Sequence, residues 1–324
     1  MCNLLKWLGG VLAALAASVA LAQSWPAKPV RVIVPWGAGG GTDIAARALT
    51  AKLSETLGQQ FIIDNRGGAS GIIGTELAAH APGDGYTILL NTLSGQVLNT
   101  SYYPKLPYNP DKDFAPVTLI SQVPLLMMVH PSLPVKSAQD VVRLARSHPG
   151  QVQYGSFGTG SPSHFAPEII NYMMRIKMAH IPYKGGSAAI TALVSGEVPL
   201  HFGGVAVAQP HVKAGRIRAL AVTSATRTPH FPELPTIAEA LKLKDYDVTV
   251  TFGVLVPAAT PRPIIDHLYA AINTVIKSPA YKERIKVLAM DEAPMLSPDE
   301  LGQWMKKETA RWASIVRDTG IRAE

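Results

Sequence analysis

The sequence predicts an α/β protein of two lobes joined by two crossing strands. Three observations carry that reading. Short β-rich runs alternate with amphipathic helical runs along the chain, the mark of α/β units with mainly parallel sheets. Glycine-rich turns separate strand ends from helix starts in both halves. Two long β-rich segments, 117–129 and 248–257 (VTVTFGVLVP), bracket the block between them, so that block is expected to be a second domain inserted into the first. The expected division is 23–122 with 253–324 as lobe 1 and 123–252 as lobe 2, the two crossings acting as a hinge.

The first 22 residues stand apart from this pattern. Lys6 supplies a short positive region, residues 7–21 are apolar, and Ala20-Leu21-Ala22 places small residues at the two positions a signal peptidase reads. A membrane span needs about 20 apolar residues, so export with cleavage after Ala22 is the reading, to the periplasm. The single cysteine, Cys2, leaves with that segment. The mature chain then has no thiol for catalysis or zinc and no disulfide, and depends on the size of its core.

Residues 30–35 (VRVIVP) read as a buried strand, and a helix follows from Thr42, with Ile44, Ala45, Ala48, Leu49, Leu53 and Leu57 at helical spacing and Gly58 as its stop. A strand at 61–64, a helix at 71–80, the turn Pro82-Gly83-Asp84-Gly85 and a strand at 86–90 come next. Residues 101–114, rich in Pro, Tyr and Asp, read as a surface loop. Ser137 with Asp140 three residues on gives a capping-box pattern at a helix start. Strands at 152–157, 179–183, 198–202 and 217–224 alternate with helical runs, and helices at 261–278 and 298–318 are expected to pack back on the first domain.

At 324 residues, 47% apolar and 16% charged, the chain has room for two ordinary domains with real cores. Its net charge of +7 is spread without a basic run or aromatic-interleaved motif, which argues against nucleic acid and for encounter with small anions. The nine histidines show no metal-ligand spacing, and no cofactor is expected. The spelling of the glycine loops excludes a dinucleotide fingerprint, a phosphate loop and a serine-hydrolase elbow, where Tyr154 stands in place of the first glycine.

Four places repeat one design of strand end, Gly/Ser/Thr-rich turn and helix start: 35–43 (PWGAGGGTD), 91–96 (NTLSGQ), 154–164 (YGSFGTGSPSH) and 183–187 (YKGGS); 65–71 (NRGGASG) is a looser fifth. Helix starts leave backbone N–H groups without partners and carry partial positive charge. Glycine admits an anion close to that backbone, and Ser or Thr adds a donor. With two such loops in each lobe, the design reads as a clamp holding one end of an anion in each. Single residues keep two readings. Asp43 complements the helix dipole or orients the loop. Trp36 and Tyr183 each wall the ligand or pack at the hinge. His164 is a satisfied helix-start residue or a ligand contact, and Ser161 with His164 is the pair an exported hydrolase would use. A periplasmic interaction protein with no small ligand is the third alternative.

These motifs, read in order with NRGGASGIIGTELAAHAPGDGYTILL, HIPYKGGSAAITALVSGEV, GRIRALAVTSATR with ELPTIAEA, and GVLVPAATP, resemble the extracytoplasmic receptors of tripartite tricarboxylate transporters, often called Bug-type receptors, from about Trp25 to the C-terminus. The resemblance implies a type II periplasmic-binding-protein fold, a two-lobe Venus flytrap, acting as a monomer that captures a small organic carboxylate (a di-, tri- or aromatic acid) and delivers it to a membrane permease or a sensor. Carried onto this chain, it implies first-lobe contacts from Gly39, Gly40, Gly41 and Thr42 with Asp43 supporting, plus Ala69, Thr92, Leu93 and Ser94. Second-lobe contacts would come from Ser156, Gly160, Ser161, His164, Tyr183, Lys184 and Gly185. The segment after Gly196 departs from the pattern. Relatives often read Q-V-D-L-x-F followed by Asp or Asn, and this chain reads Glu197-Val198-Pro199-Leu200-His201-Phe202-Gly203. Glycine at 203, and Trp36 where Phe is usual, tilt the expected ligand away from an amino acid and toward a larger or aromatic acid.

Overall fold

Val-Arg-Val-Ile-Val folds as β1 (Val30–Val34) with four of its five residues buried, as a strand covered on both faces requires. It lies between β2 (Phe61–Asn65) and β3 (Thr87–Thr92), parallel to both. Beyond β3 the sheet turns antiparallel, first through β9 (Thr249–Pro257) and then β4 (Phe114–Val129). A second sheet repeats the plan. There β5 (Gln153–Ser156) lies parallel between β6 (Ala179–Pro182) and β7 (Leu200–Gly204), while β7 and β8 (Arg218–Val222) flank β4 antiparallel. This computed structural model describes residues 25–321, so the export segment, its cleavage after Ala22 and Cys2 lie outside the described residues.

The two sheets share one strand. From Phe114 to Pro124, β4 pairs with β9; from Leu125 to Val129 it pairs with β7 and β8. Pro124 has no N–H to give a ladder and stands where β4 changes partners. The return crossing is the start of β9, where Val248 N donates to Thr223 O at 2.9 Å. The two-lobe α/β fold with two crossing strands is what the sequence predicts.

The helices follow the strands: α1 (Gly41–Leu57), α2 (Ile72–Ala79), α3 (Leu93–Tyr102), α4 (Ala138–Ser147), α5 (Pro162–Met174), α6 (Gly186–Ser195), α7 (Val205–Lys213), α8 (Ile237–Leu241), α9 (Arg262–Lys277), α10 (Pro279–Val287) and α11 (Pro298–Thr319). Several differ from the sequence reading. Residues 101–114 are not a simple surface loop: α3 runs through Tyr102, and Tyr102 and Tyr108 are buried, because their rings fill space that polar loop residues cannot. At α4, Ser137 accepts from Asp140 N, but the Asp140 carboxylate accepts from Lys136 N, one residue short of a reciprocal box. The short helix α10, capped by Ser278, goes unread in the sequence because Pro279 reads as a breaker, whereas Pro suits a first helical position. Helix α11 touches both lobes. At 22 residues it spans roughly 33 Å at 1.5 Å per residue, and its Trp312 meets Phe165 edge-on at 5.8 Å while Arg311 donates to Asp247 O.

Close packing of α2 on the end of β1 depends on Gly74. A Cβ there would lie 2.6 Å from Arg66 O and 2.7 Å from Pro35 Cα. We expect Gly74→Ala to cost about 1–3 kcal/mol in urea unfolding, by overpacking against backbone that cannot yield. Gly58→Ala, with open space but a φ of +65°, is expected to cost about 1 kcal/mol.

Candidate functional site

Helix starts from both lobes converge on one cavity of about 190 Å³. Helices α1, α3, α6 and α7 begin after Gly40, Thr92, Gly185 and Gly204, and none of these four N-caps makes a side-chain capping hydrogen bond to its helix. All four N-caps line the cavity. Helices α4, α8, α10 and α11, whose starts do not line it, are capped by Ser137, Thr236, Ser278 and Ser297, while α2 and α9, after Gly71 and Pro261, start elsewhere without a side-chain cap, and α5, capped by Ser161, brings Pro162 to the lining. Leaving amides unpaired at a helix start costs stability unless something else accepts from them. The cavity therefore presents backbone donors and four positive dipole ends. Its walls are apolar: Phe157, Ile190 and Val207 from one lobe, Val123, Val250 and Phe252 from the crossing strands. Among the described residues Lys184 is the one lysine or arginine in the lining.

A second cavity of about 210 Å³ adjoins the first, with Trp36, Gly37, Phe157, Lys184 and Gly185 common to both. The lobes meet across the rim. Ser70 Oγ and Tyr103 OH (2.8 Å) both donate to Thr159 O, and Ser187 Oγ donates to Ala38 O at 3.3 Å.

Of the residues singled out by sequence, Trp36, Gly40, Gly41, Thr42, Thr92, Lys184, Gly185 and Gly203 line the first cavity. Ala69 and Tyr183 line the second. Trp36 is a wall, 9% exposed, with Nε1 donating to Asn91 Oδ1 at 2.9 Å. Asp43 lies beneath the loop. Its carboxylate accepts from Gly39 N and Arg47 Nε, both at 2.9 Å, and from Asn65 Nδ2 at 3.1 Å. Burial pushes its pKa up, but those hydrogen bonds and the Arg47 charge outweigh it and hold the group below the usual carboxylate range. Asp43 and Gly39 thus shape the loop from below.

The others stand behind the lining. Leu93 is buried against Gly253, and Ser94 Oγ accepts from Thr251 N at 3.1 Å, tying α3 to β9. Ser156 Oγ is bonded to His180 Nε2 at 2.6 Å and accepts from Gly158 N. Gly160, with φ of +84°, packs on Asn99, Tyr102 and Tyr103. Ser161 Oγ donates to Gly158 O at 2.7 Å and caps α5 at His164 N. His164 Nδ1 accepts from Gly160 N at 3.2 Å, and its ring stacks on His180 at 3.9 Å. Sequence reasoning missed Phe157, Val123, Val250, Phe252 and His201. The available signal was the period of two, which puts Val250 with Phe252, and His201 with Gly203, on one face of their strands.

Burial lowers the pKa of three imidazoles: His164 to about 3, with the His180 charge adding to it, His180 to about 4, and His201 to about 4, against a raising bond to Gly155. In the unfolded chain each protonates near pH 6.5. Their contribution to stability is complete above that pH and is lost progressively as pH falls toward the folded values, by about 2 kcal/mol for one buried imidazole at pH 5. We expect the urea unfolding free energy to fall between pH 7.5 and 5, and His180→Gln to flatten that fall by about a third. A wild-type profile level across this window would contradict the buried, neutral state of these rings.

The chain was compared with known proteins. The family model described as "Tripartite tricarboxylate transporter family receptor" matches residues 45–321. Protein BugT of Bordetella pertussis is 34% identical over 93% of this chain and 92% of its own. Among solved structures, R. palustris Rpa4515 with adipate superposes with a TM-score of 0.88 at 35% identity, over 92% of this chain and 99% of that one. MatC from Rhodopseudomonas palustris with bound malate gives 0.84 at 31%, over 90% and 100%. The overall fold is therefore shared with proteins whose sequences align along nearly the whole length, and the chain belongs to the tripartite tricarboxylate transporter receptor family.

Proposed function

We propose that the chain is a periplasmic solute-binding protein that captures a small organic carboxylate between its lobes, transforms nothing, and hands the ligand to a membrane permease of the tripartite tricarboxylate type or to a sensor. The observation that carries the reading is the set of four uncapped helix starts facing one cavity. Adipate and malate in two structural relatives support a carboxylate. Gly40, Gly41, Thr42 and Thr92 would hold the ligand from lobe 1 (23–122 and 253–324), and Lys184, Gly185 and Gly203 from lobe 2 (123–252). The apolar walls favour a ligand with a hydrocarbon or aromatic body over a tricarboxylate.

A hydrolase reading has less support. The Ser161 hydroxyl and the His164 Nδ1 lone pair are both engaged in shaping the start of α5, and neither residue lines the cavity.

A thermal-shift panel of mono-, di- and tricarboxylates and aromatic acids tests the reading. At 100 times its dissociation constant a true ligand stabilises by about 2.7 kcal/mol. Gly41→Asp places a carboxylate at the first position of α1, where a Cβ meets nothing closer than Phe252 Cζ at 3.5 Å. An acid there favours the helix, so the unliganded melting temperature should hold or rise, while affinity for the acid falls at least tenfold, on the order of 1.4 kcal/mol. Unchanged affinity in this variant would move the anion site elsewhere.

A further inference from the structure

His201 is 1% exposed, lines the first cavity, and is held in one orientation. Its Nδ1 lies 2.8 Å from Gly155 O, and a carbonyl only accepts, so Nδ1 carries the proton. The Nε2 atom of the neutral ring is then a lone-pair acceptor. A Cβ on Gly203 would meet Nε2 at 2.6 Å and Cδ2 at 2.8 Å, so the imidazole edge lies against a glycine that itself lines the cavity. Phe157 packs on the same ring at 5.8 Å, edge to face. Among the described residues, the Gly155 bond is the one hydrogen bond of this side chain.

The arrangement has a chemical consequence for whatever enters. The other polar features of the lining are helix-start amides and the Lys184 ammonium, which only give protons, and the Thr42, Thr92 and Ser187 hydroxyls, which can give or take one. Among the described residues, His201 Nε2 is the one side-chain nitrogen of the lining that can only accept. A carboxylate oxygen set against Nε2 places two lone pairs together with no proton between them. An apolar group there leaves a buried acceptor unmatched, which costs free energy.

We propose that His201 is a specificity-determining residue that selects a carboxylate carrying a hydroxyl on an otherwise apolar body, by accepting a hydrogen bond from that hydroxyl at Nε2. This rests on the carboxylate-receptor reading and narrows it. The site then reads one end of the ligand as an anion and another point of it as a donor. It ranks hydroxy acids above both their unsubstituted parents and the diacids that carry a second carboxylate in the same place. Sites built around a buried hydrogen-bonding group reject the analogue lacking it far more strongly than apolar pockets reject a missing methylene.

Isothermal titration of the mature protein with two series gives the test: benzoate, 3- and 4-hydroxybenzoate and terephthalate; hexanoate, 6-hydroxyhexanoate and adipate. We expect a hydroxy acid in at least one series to bind tenfold or more tighter than its parent and than the diacid. His201→Asn keeps a short amide donor for Gly155 O and removes the far acceptor. It should bring the hydroxy acid and its parent within about twofold of each other while the parent still binds. His201→Phe, which removes both nitrogens, should do the same and guards against an Asn side chain that turns toward the ligand. A diacid preferred by the wild type, or a hydroxyl preference that survives in both variants, overturns the role of His201 and leaves the receptor standing. Binding of no acid at all overturns the receptor reading, and this proposal with it.

Discussion

The antiparallel ladder between β4 and β9 is the constraint on which the rest depends. Two strands cross between the lobes side by side, hydrogen-bonded from Phe114 with Pro257 to Pro124 with Thr249. A single crossing strand would let the second sheet rotate freely about it. Two paired strands restrict that motion to a few residues near Pro124 and Val248. The same ladder supplies the cavity floor, since Val123, Val250 and Phe252 sit at the crossing. Because the parallel strands of each lobe end facing this floor, the helices that follow them start there as well. Position, polarity and hinge thus come from one piece of backbone geometry.

Once the helix starts are gathered, the local chemistry keeps them open. A serine or threonine cap would satisfy each helix and cancel its use. Glycine at Gly40, Gly185 and Gly204 cannot do so, and Thr92 spends its hydroxyl on Asn91 Oδ1. The cost is met by supporting contacts outside the cavity. Asp43 binds the Gly39 amide and, through Asn65, the carbonyl of Trp36. Asn91 fixes the Trp36 indole and the Thr92 amide together. The lining is therefore polar chiefly through its backbone and apolar through most of its side chains, Lys184 and His201 standing out, which suits a ligand with a charged end and a hydrocarbon body.

Much of this was legible in the sequence, for physical reasons that differ by element. The strand and helix alternation is local periodicity, and Gly58 and Ser137 act as the stop and the cap their residue types imply. The glycine loops could be read because only a few residue types serve at a close anion approach. What could not be read is which loop residues face inward. Ser156, Ser161 and His164 belong to a glycine loop by spelling, yet the loop turns their side chains toward Gly158, His180 and Gly160. The floor residues were invisible because Val, Val and Phe in a strand look like core. His201 was hidden for the opposite reason: a lone histidine in a strand shows no metal-ligand spacing, and that its ring edge lies against Gly203 appears only in the fold.

On the proposed function, the gathering of helix starts would also make closure of the cleft depend on what is bound. Each start carries about half a positive charge, and shutting the cleft brings two from each lobe toward one small, mostly apolar space. That approach is repulsive by itself and becomes attractive around an anion. The rim contacts of Ser70 and Tyr103 with Thr159, and of Ser187 with Ala38, favour closure by about 1 kcal/mol each at most. They set the geometry of the shut state more than its population. A ligand shifts a two-state equilibrium only by its differential affinity for the two states. Here the difference would be built in, because an anion in the shut cleft would touch donors from both lobes and in an open cleft donors from one.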